Sequence, residues 1–180
     1  MMTFLSKYST KGNIIIGMLL ILFINLVAFP NFPKVFFGEN LSFLTILDTQ
    51  FGFSSEFVTN LFLSLNENGR TAYKYSTIFV DFPYPIIYSI TYSLIFIKIF
   101  EKNKIERFKN FALMPLGILF FDVLENLGII HLINNFPNLN DKSIYLVSIF
   151  NQTKWLFALA SLILLMVLMI ITLRKKLNQR

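Results

Sequence analysis

The residues best suited to chemistry in this sequence stand inside an apolar stretch. Asp122, Glu125 and Asn126 follow one another at positions i, i+3 and i+4, within an apolar run that extends from 111 to 133. This spacing places the three side chains on one face of a helix. Because ionisable groups are costly in hydrocarbon, those that occur there are functional candidates. Such groups could act as general acid and base, relay protons or bind a cation.

A second apolar stretch supplies another carboxyl group, Asp81. Pro83 and Pro85 follow it, and a proline removes a backbone donor from a helix, so the sequence predicts a kink or local unwinding beside Asp81. Polar and aromatic residues recur around Asp81 at three- and four-residue steps: Thr77, Tyr84, Tyr88 and Tyr92. We therefore expect one acidic, hydroxyl-rich stripe that shares the outer half of the bilayer with Asp122 and Glu125.

Two basic residues could pair with these carboxyl groups. Arg70 precedes the second apolar stretch, and Lys154 opens the fourth, where it could instead extend to lipid headgroups. Three carboxylates close together cannot all be ionised cheaply in a low dielectric, so at least one would be protonated or paired with a cation. The predicted catalytic or cation-pairing residues are Asp81, Glu125 and Asp122. The predicted ligand-binding residues are Asn126, Tyr84, Tyr88, Lys154 and Arg70.

Several common kinds of site are disfavoured by the sequence. Carboxylate and amide oxygens could hold a divalent cation, but Lys154 would compete with it, so no metal site is predicted. The chain has no cysteine and no phosphate-binding loop, dinucleotide fingerprint, H-E-x-x-H motif or G-x-S-x-G motif. His131 turns away from the acidic face and is interpreted as an interfacial residue. No cofactor is expected, and whether the protein is an enzyme stays open.

Composition predicts the elements that must position these residues. The 180 residues are 55% hydrophobic and 14% charged, with a mean hydropathy of +0.63, which is outside the pattern of soluble domains. Four apolar runs reach the length of about 20 residues that a spanning helix needs: about 12–29, 75–100, 111–133 and 155–173. We predict an all-α membrane protein, a single domain over 1–180 with four transmembrane helices in an antiparallel bundle.

The connections between these spans are short except for residues 31–74. Pro30 and Pro33 are expected to end the first span before this loop. Ser54 or Ser55 is a plausible N-cap, and apolar residues follow it at helical spacing. We therefore predict an amphipathic interfacial helix at about 55–66 in the first outer loop, which Gly69 is well placed to end.

Basic residues are distributed unevenly about this topology. Eleven of the 16 lysines and arginines fall on the side that carries both termini: Lys7, Lys11, Lys98, Lys102, Lys104, Arg107, Lys109, Arg174, Lys175, Lys176 and Arg180. By the positive-inside rule, both termini are predicted to be cytoplasmic, in the plasma (inner) membrane of the cell. The basic C-terminal tail is then a topology anchor, and no nucleic-acid partner is expected.

Two groups of membrane proteins resemble parts of this sequence. The first is a set of small bacterial four-span proteins of no assigned function, and the likeness rests on Asp48 with Gly52-Phe53, Gly69-Arg70 with Tyr73, Asp81 with its prolines, Asp122-x-x-Glu125-Asn126, and Lys154-Trp155. This likeness covers most of the chain from the first loop onward. The segment from Asp81 to Tyr88 is similar to the EXPERA group of emopamil-binding and sigma-type proteins, which implies a lipophilic, often cationic or sterol-like ligand.

Three functions are compatible with these features. The first is a polytopic membrane protein whose buried acidic pocket, in the outer leaflet half, binds and could chemically alter a lipophilic or amphiphilic small molecule. The second is a non-enzymatic accessory subunit that binds a membrane protein partner, with buried ion pairs that fix helix register. The third is a proton or cation conduit, which the almost wholly apolar inner halves of the spans disfavour. The lipid bilayer is the expected partner in each.

Overall fold

The computed structural model describes residues 2–39 and 46–178, and these residues form six helices and no strand. The helices are α1 (Met2–Tyr8), α2 (Lys11–Phe37), α3 (Ser55–Ser64), α4 (Glu67–Asn103), α5 (Lys109–Asn135) and α6 (Asp141–Leu177). Of these, α2, α4, α5 and α6 are long and apolar enough to cross a membrane. The prediction of an all-α membrane protein is confirmed. Part of the predicted outer loop, 40–45, and Arg180 of the basic tail lie outside the described residues.

The prediction that Pro30 and Pro33 end the first span is wrong. α2 continues through both prolines to Phe37 and ends at Gly38, whose φ of 69° is the left-handed conformation that glycine adopts most easily. A π-helical turn at Ile24–Ala28 ends two residues before Pro30. Pro30 therefore stands in the first turn after a change of helix type, where its missing N–H is best tolerated.

The predicted distortion beside Asp81 is present. α4 contains a π-helical turn at Thr77–Asp81, and Pro83 begins the regular α-helix that follows it. Such single turns are common beside functional sites in helices. By contrast, Gly69 does not end the interfacial helix as predicted, because α3 stops at Ser64 and the Asn66 side chain caps the start of α4 by accepting from the Gly69 N–H at 2.7 Å.

Both α4 and α6 are longer than the apolar runs that predicted them. Each has 37 residues, or about 55 Å at about 1.5 Å per residue, whereas the hydrocarbon core of a bilayer is about 30 Å thick. Most of the extra residues, at 67–74 and 141–154, are polar in part, so hydropathy alone does not include them. These turns belong to the loop end of the bundle, which we define as the end that carries residues 46–66.

Packing at the loop end buries the apolar face of α3. The Ser54 side chain caps this helix by accepting from the Phe57 N–H at 3.1 Å, as predicted. Val58 and Phe62 are fully buried in a cluster formed with the ends of α5 and α6. The helix therefore covers the bundle with its apolar face and leaves Leu63 exposed.

Contacts along the helices establish that neighbouring spans are antiparallel. Gly17 on α2 lies against Thr91 on α4, and farther along α2 the Asn25 amide donates to the Tyr84 hydroxyl at 2.7 Å. Since the residue number rises on one helix as it falls on the other, α2 and α4 run in opposite directions. At the far end from the loop, the side chain of Asn103 on α4 donates to Thr172 of α6 at 2.8 Å, so α4 and α6 are parallel.

Close contact between α5 and α6 gives a first prediction. A Cβ atom added to Gly128 would lie 2.3 Å from Cγ2 of Val147. Alanine normally favours a helix over glycine by about 1 kcal/mol, but here the clash should dominate, and Gly128→Ala should lower the free energy of unfolding by about 1–3 kcal/mol. The matched control is Gly12→Ala, which meets only Thr10 Oγ1 at 4.0 Å and should be neutral or stabilising. Denaturation in mixed micelles measures both, and equal effects would contradict the packing explanation.

Candidate functional site

An ion pair between α5 and α6 lies at the centre of the polar residues. Lys154 Nζ is 2.5 Å from Oε2 of Glu125 and 3.9 Å from Oδ1 of Asp122. Glu125 is fully buried and Lys154 is 7% exposed. Both carboxyl groups thus point from α5 into the bundle, as the i, i+3 spacing predicts, and Lys154 points toward them and not toward lipid headgroups.

Asn151 holds the buried carboxylate from the other side. Its Nδ2 donates to Oε1 of Glu125 at 2.8 Å and to the Leu47 carbonyl at 3.3 Å, and its Oδ1 accepts from the Gly52 N–H at 2.7 Å. Asn151 was not among the predicted site residues. The available signal was its position three residues before Lys154, which places both on one helix face.

The loop segment 46–53 supplies a fourth carboxyl group, Asp48. It belongs to a 3-10 turn at Leu47–Thr49. Tyr73 of α4 donates to Oδ2 of Asp48 at 2.8 Å, and Lys154 Nζ lies 3.3 Å from the Asp48 carbonyl oxygen, to which it donates. Sequence reasoning noted Asp48 only in a family likeness and did not assign it to the site, because nothing in the local sequence shows that this loop folds onto α4 and α6.

Asp81 joins this group through Asn126. With the amide oriented so that its nitrogen faces the carboxylates, Asn126 donates to Oδ2 of Asp81 at 3.0 Å and to Oδ1 of Asp48 at 3.2 Å. Asn126 is fully buried. The structure therefore brings together, within one acidic cluster, carboxyl groups from the loop, α4 and α5: Asp48, Asp81, Asp122 and Glu125.

The two predicted tyrosines lie beside this acidic cluster. The Tyr88 hydroxyl donates to Oδ2 of Asp122 at 2.6 Å. Tyr84 accepts from Asn25 of α2, and the rings of Tyr84 and Tyr88 meet edge to face with centroids 4.9 Å apart. The stripe predicted on α4 is therefore turned toward both α2 and α5.

Arg70 is placed elsewhere. Its Nη1 donates to the carbonyl oxygens of Phe62 at 2.8 Å and Leu65 at 2.5 Å, and its guanidinium lies over the ring of Phe136 at 4.8 Å. These contacts join the end of α3 to the loop that follows α5. The structure thus does not bring Arg70 to the acidic cluster, and His131 is exposed, with its ring against Asn135.

Charge in the acidic cluster is not balanced by side chains. Within residues 2–39 and 46–178, Lys154 is the one cation that forms an ion pair with any of the four carboxyl groups. No His, Asp or Glu group in the same residues has the arrangement of a metal site. Because a buried uncompensated charge is costly, the cluster needs protons or a further cationic group to be neutral.

A cavity of about 710 Å³ opens beside the acidic cluster. Its polar lining includes Asn25, Asp48, Asp81, Tyr84, Asp122 and Lys154. Its apolar lining includes Met18, Ile95, Phe96, Ile118, Leu162 and Leu165. Along α4, from Asp81 to Phe96, the lining extends over about 22 Å at about 1.5 Å per residue. One end of the cavity is therefore acidic and the other is hydrocarbon-like, and its size is that of a small-molecule site, about 300–1,000 Å³.

Part of the wall of this cavity is formed by α2 and α6. Met18 on α2, and Trp155 and Leu162 on α6, line it and are also partly exposed on the surface of the bundle. Since these residues belong to helices able to cross a membrane, we expect part of the cavity wall to meet the hydrocarbon of the bilayer.

Comparison of the chain with family models, curated proteins and solved structures gives no match. The site itself must therefore indicate the function. Its geometry divides the predicted site residues into those that line the cavity and those that do not. Asp81, Asp122 and Lys154 line the cavity, whereas Glu125 and Asn126 lie behind them. Glu125 thus contacts Lys154 from outside the cavity, and Asn126 connects Asp81 to the loop.

Proposed function

We propose that this protein binds an amphiphilic small molecule with a basic head group. The observation that carries the proposal is a single cavity that is lined by three carboxyl groups at one end and by apolar residues at the other. An ammonium group at the acidic end would neutralise charge that Lys154 leaves unbalanced, and it would lie beside the Tyr84 and Tyr88 rings, where cation–π contacts add to its binding. The hydrophobic part would extend between α2 and α6.

The same proposal includes the orientation of the protein. The distribution of lysine and arginine supports cytoplasmic termini in the plasma (inner) membrane, which would put the acidic end of the cavity in the outer half of the bilayer. Asp81 and Asp122 are then the groups that meet the ligand head, and they are also the groups that could exchange a proton with it if the ligand is chemically altered.

A second candidate is an accessory subunit whose buried charges only fix the helices in register. The observation that favours it is the complete burial of Glu125, which contacts Lys154 and Asn151 and does not line the cavity. A buried pair of this kind can specify structure without adding stability. This candidate predicts that the cavity has no preference among amphiphiles and that the protein copurifies with another membrane protein.

A binding experiment separates the two candidates. The protein, in nanodiscs of neutral phosphatidylcholine, is titrated with dodecylamine and with dodecanol, which share a chain and differ in head charge. We expect the amine to bind at least about tenfold more tightly, a difference of about 1.4 kcal/mol, and Asp81→Asn to abolish that preference. Asp141→Asn, at the exposed start of α6, is the matched control and should retain it. Equal binding of amine and alcohol by the unmodified protein would refute the proposal.

A further inference from the structure

Two of the carboxyl groups that line the cavity form a pair. Asp48 of the loop and Asp81 of α4 both face the cavity. Asn126 donates to Oδ2 of Asp81 and to Oδ1 of Asp48, and the two carboxyl groups lie within hydrogen-bonding distance of each other. An ionised carboxylate accepts hydrogen bonds and donates none. A hydrogen bond between Asp48 and Asp81 therefore requires that one of them carries a proton.

The charged groups around this pair do not supply a cation in place of that proton. Lys154 forms its ion pairs with Glu125 and Asp122, and it donates to the main-chain carbonyl of Asp48 and not to the side chain. In the part of the chain that the structure describes, no cation forms an ion pair with the carboxyl group of Asp48 or Asp81. Since two neighbouring carboxylates cannot both ionise cheaply away from water, the pair shares one proton.

The surroundings of the pair include few other groups that could take up this proton. The residues of α2 in the cavity wall, Met18, Asn25 and Phe29, are uncharged. The titratable groups that face the pair from the other helices are Tyr73, Tyr84 and Tyr88 of α4, Asp122 and Glu125 of α5, and Lys154 of α6.

We propose that the proton shared by Asp48 and Asp81 is exchanged for the cationic head of the ligand. This inference rests on the proposed function and specifies how binding at the same site depends on pH. The fully ionised pair carries two negative charges and the protonated pair carries one, so a cation interacts more strongly with the ionised pair. By linkage, a ligand that prefers the ionised pair releases the proton as it binds, and its affinity rises with pH.

The pair is accessible to both the ligand head and the proton. Asp48 and Asp81 are each partly exposed and line the cavity, whereas Glu125 and Asn126 are fully buried. Asp48 is followed by Thr49, which is exposed at the loop end of the bundle. The pair therefore meets the cavity on one side and lies close to the surface of the protein on the other.

The experiment uses dodecyltrimethylammonium, whose charge is permanent, so that a change of its affinity with pH reports protons of the protein alone. In nanodiscs of neutral phosphatidylcholine, with empty nanodiscs subtracted, we expect Kd to fall by at least about threefold per pH unit in part of the range from about pH 5 to 9, against about tenfold for one whole proton. Calorimetry in two buffers of different ionisation enthalpy should detect release of at least about half a proton per ligand. Dodecylamine should give the same release below about pH 8, where its amine is charged.

The variant Asp48→Asn tests whether this pair holds the proton. Its amide can accept from Tyr73 and donate to Asp81, so it imitates a carboxyl group that cannot lose its proton. We expect its affinity for dodecyltrimethylammonium to change by less than about twofold over the same pH range. Glu56→Gln, exposed on α3 at the same end of the bundle, is the matched control and should keep the pH dependence of the unmodified protein.

The outcomes distinguish this inference from the proposed function. If the unmodified protein prefers dodecylamine to dodecanol but releases no proton and binds each cation equally tightly over the pH range, the exchange is refuted and the basic head is not. This result comes from the unmodified protein, so it does not depend on the folding of Asp48→Asn. A pH dependence that persists in Asp48→Asn also refutes the exchange, because another group would then hold the proton. If the amine has no preference over the alcohol, the proposed function fails, and this inference fails with it.

Discussion

Replacing Lys154 with methionine should lower the free energy of unfolding by about 3–5 kcal/mol, the largest effect we expect from a single substitution. The ammonium group is 2.5 Å from Oε2 of Glu125, and Glu125 is fully buried. Methionine keeps the apolar volume of the lysine chain but leaves this carboxylate, and Asp122 beside it, without a cation. Denaturation by SDS in mixed micelles gives the free energy of unfolding of both proteins.

The double variant Glu125→Gln/Lys154→Met tests the explanation. Removing both charges of a buried pair is often neutral, and glutamine can still accept the hydrogen bond that Asn151 donates to Glu125 Oε1. We therefore expect the double variant to recover most of the lost stability. Lys142→Met, an exposed lysine on the same helix, is the control and should change stability by less than about 0.5 kcal/mol. A double variant no more stable than Lys154→Met alone would show that Glu125 is not the group that Lys154 neutralises.

Asn151→Leu should have the second largest effect, a loss of about 2–4 kcal/mol, because the Gly52 N–H and Oε1 of Glu125 lose the hydrogen bond that Asn151 gives each of them, and each such loss costs about 1–3 kcal/mol. The Leu47 carbonyl still accepts from the Gln50 N–H at 3.1 Å. Three groups lose their bond to this side chain: the Glu125 carboxylate, the Leu47 carbonyl and the Gly52 N–H. Two of the three belong to the loop segment 46–53. The loss should therefore be accompanied by faster amide hydrogen exchange in this segment.

Thr153→Val is the matched control for Asn151→Leu. Thr153 lies on the same helix, and its hydroxyl donates only to the Ile149 carbonyl, one turn earlier in that helix. We expect its exchange pattern at 46–53 to match that of the unmodified protein. Should Asn151→Leu destabilise the protein without faster exchange at 46–53, the role given to Asn151 in holding this loop would be refuted.

Local periodicity was sufficient to predict one face of the site. Asp122, Glu125 and Asn126 share a helix face because of their spacing, and the prolines after Asp81 predicted the distorted turn at Thr77–Asp81. Both inferences use residues within one or two helical turns. Residues within that distance determine the type of helix and which of its sides are exposed or buried, so no knowledge of the other helices is needed.

The rest of the site depends on contacts that local patterns do not contain. Asn151 bonds to Glu125 and Leu47, which are 26 and 104 residues away in the chain, and Asp48 enters the site only because its loop folds back onto α4 and α6. Arg70 shows the reverse case. Its charge suggested a partner in the acidic cluster, but carbonyl groups at the end of α3 are close in sequence and satisfy it instead.

The hydrogen bonds between residues 46–53 and α6 have a consequence for folding of the chain during its synthesis. Gly52 and Phe53 bond to side chains of Asn151 and Ser148, which are 99 and 95 residues later in the chain. During synthesis, a chain is made from its N-terminus at about 5–20 residues per second, so α2, α4 and α5 are available before the ammonium group that neutralises Glu125. Until α6 inserts beside them, the nascent bundle holds its carboxyl groups unpaired. A chain arrested before α6 would therefore hold Asp122 and Glu125 within the membrane without the cation that pairs with them in the folded bundle.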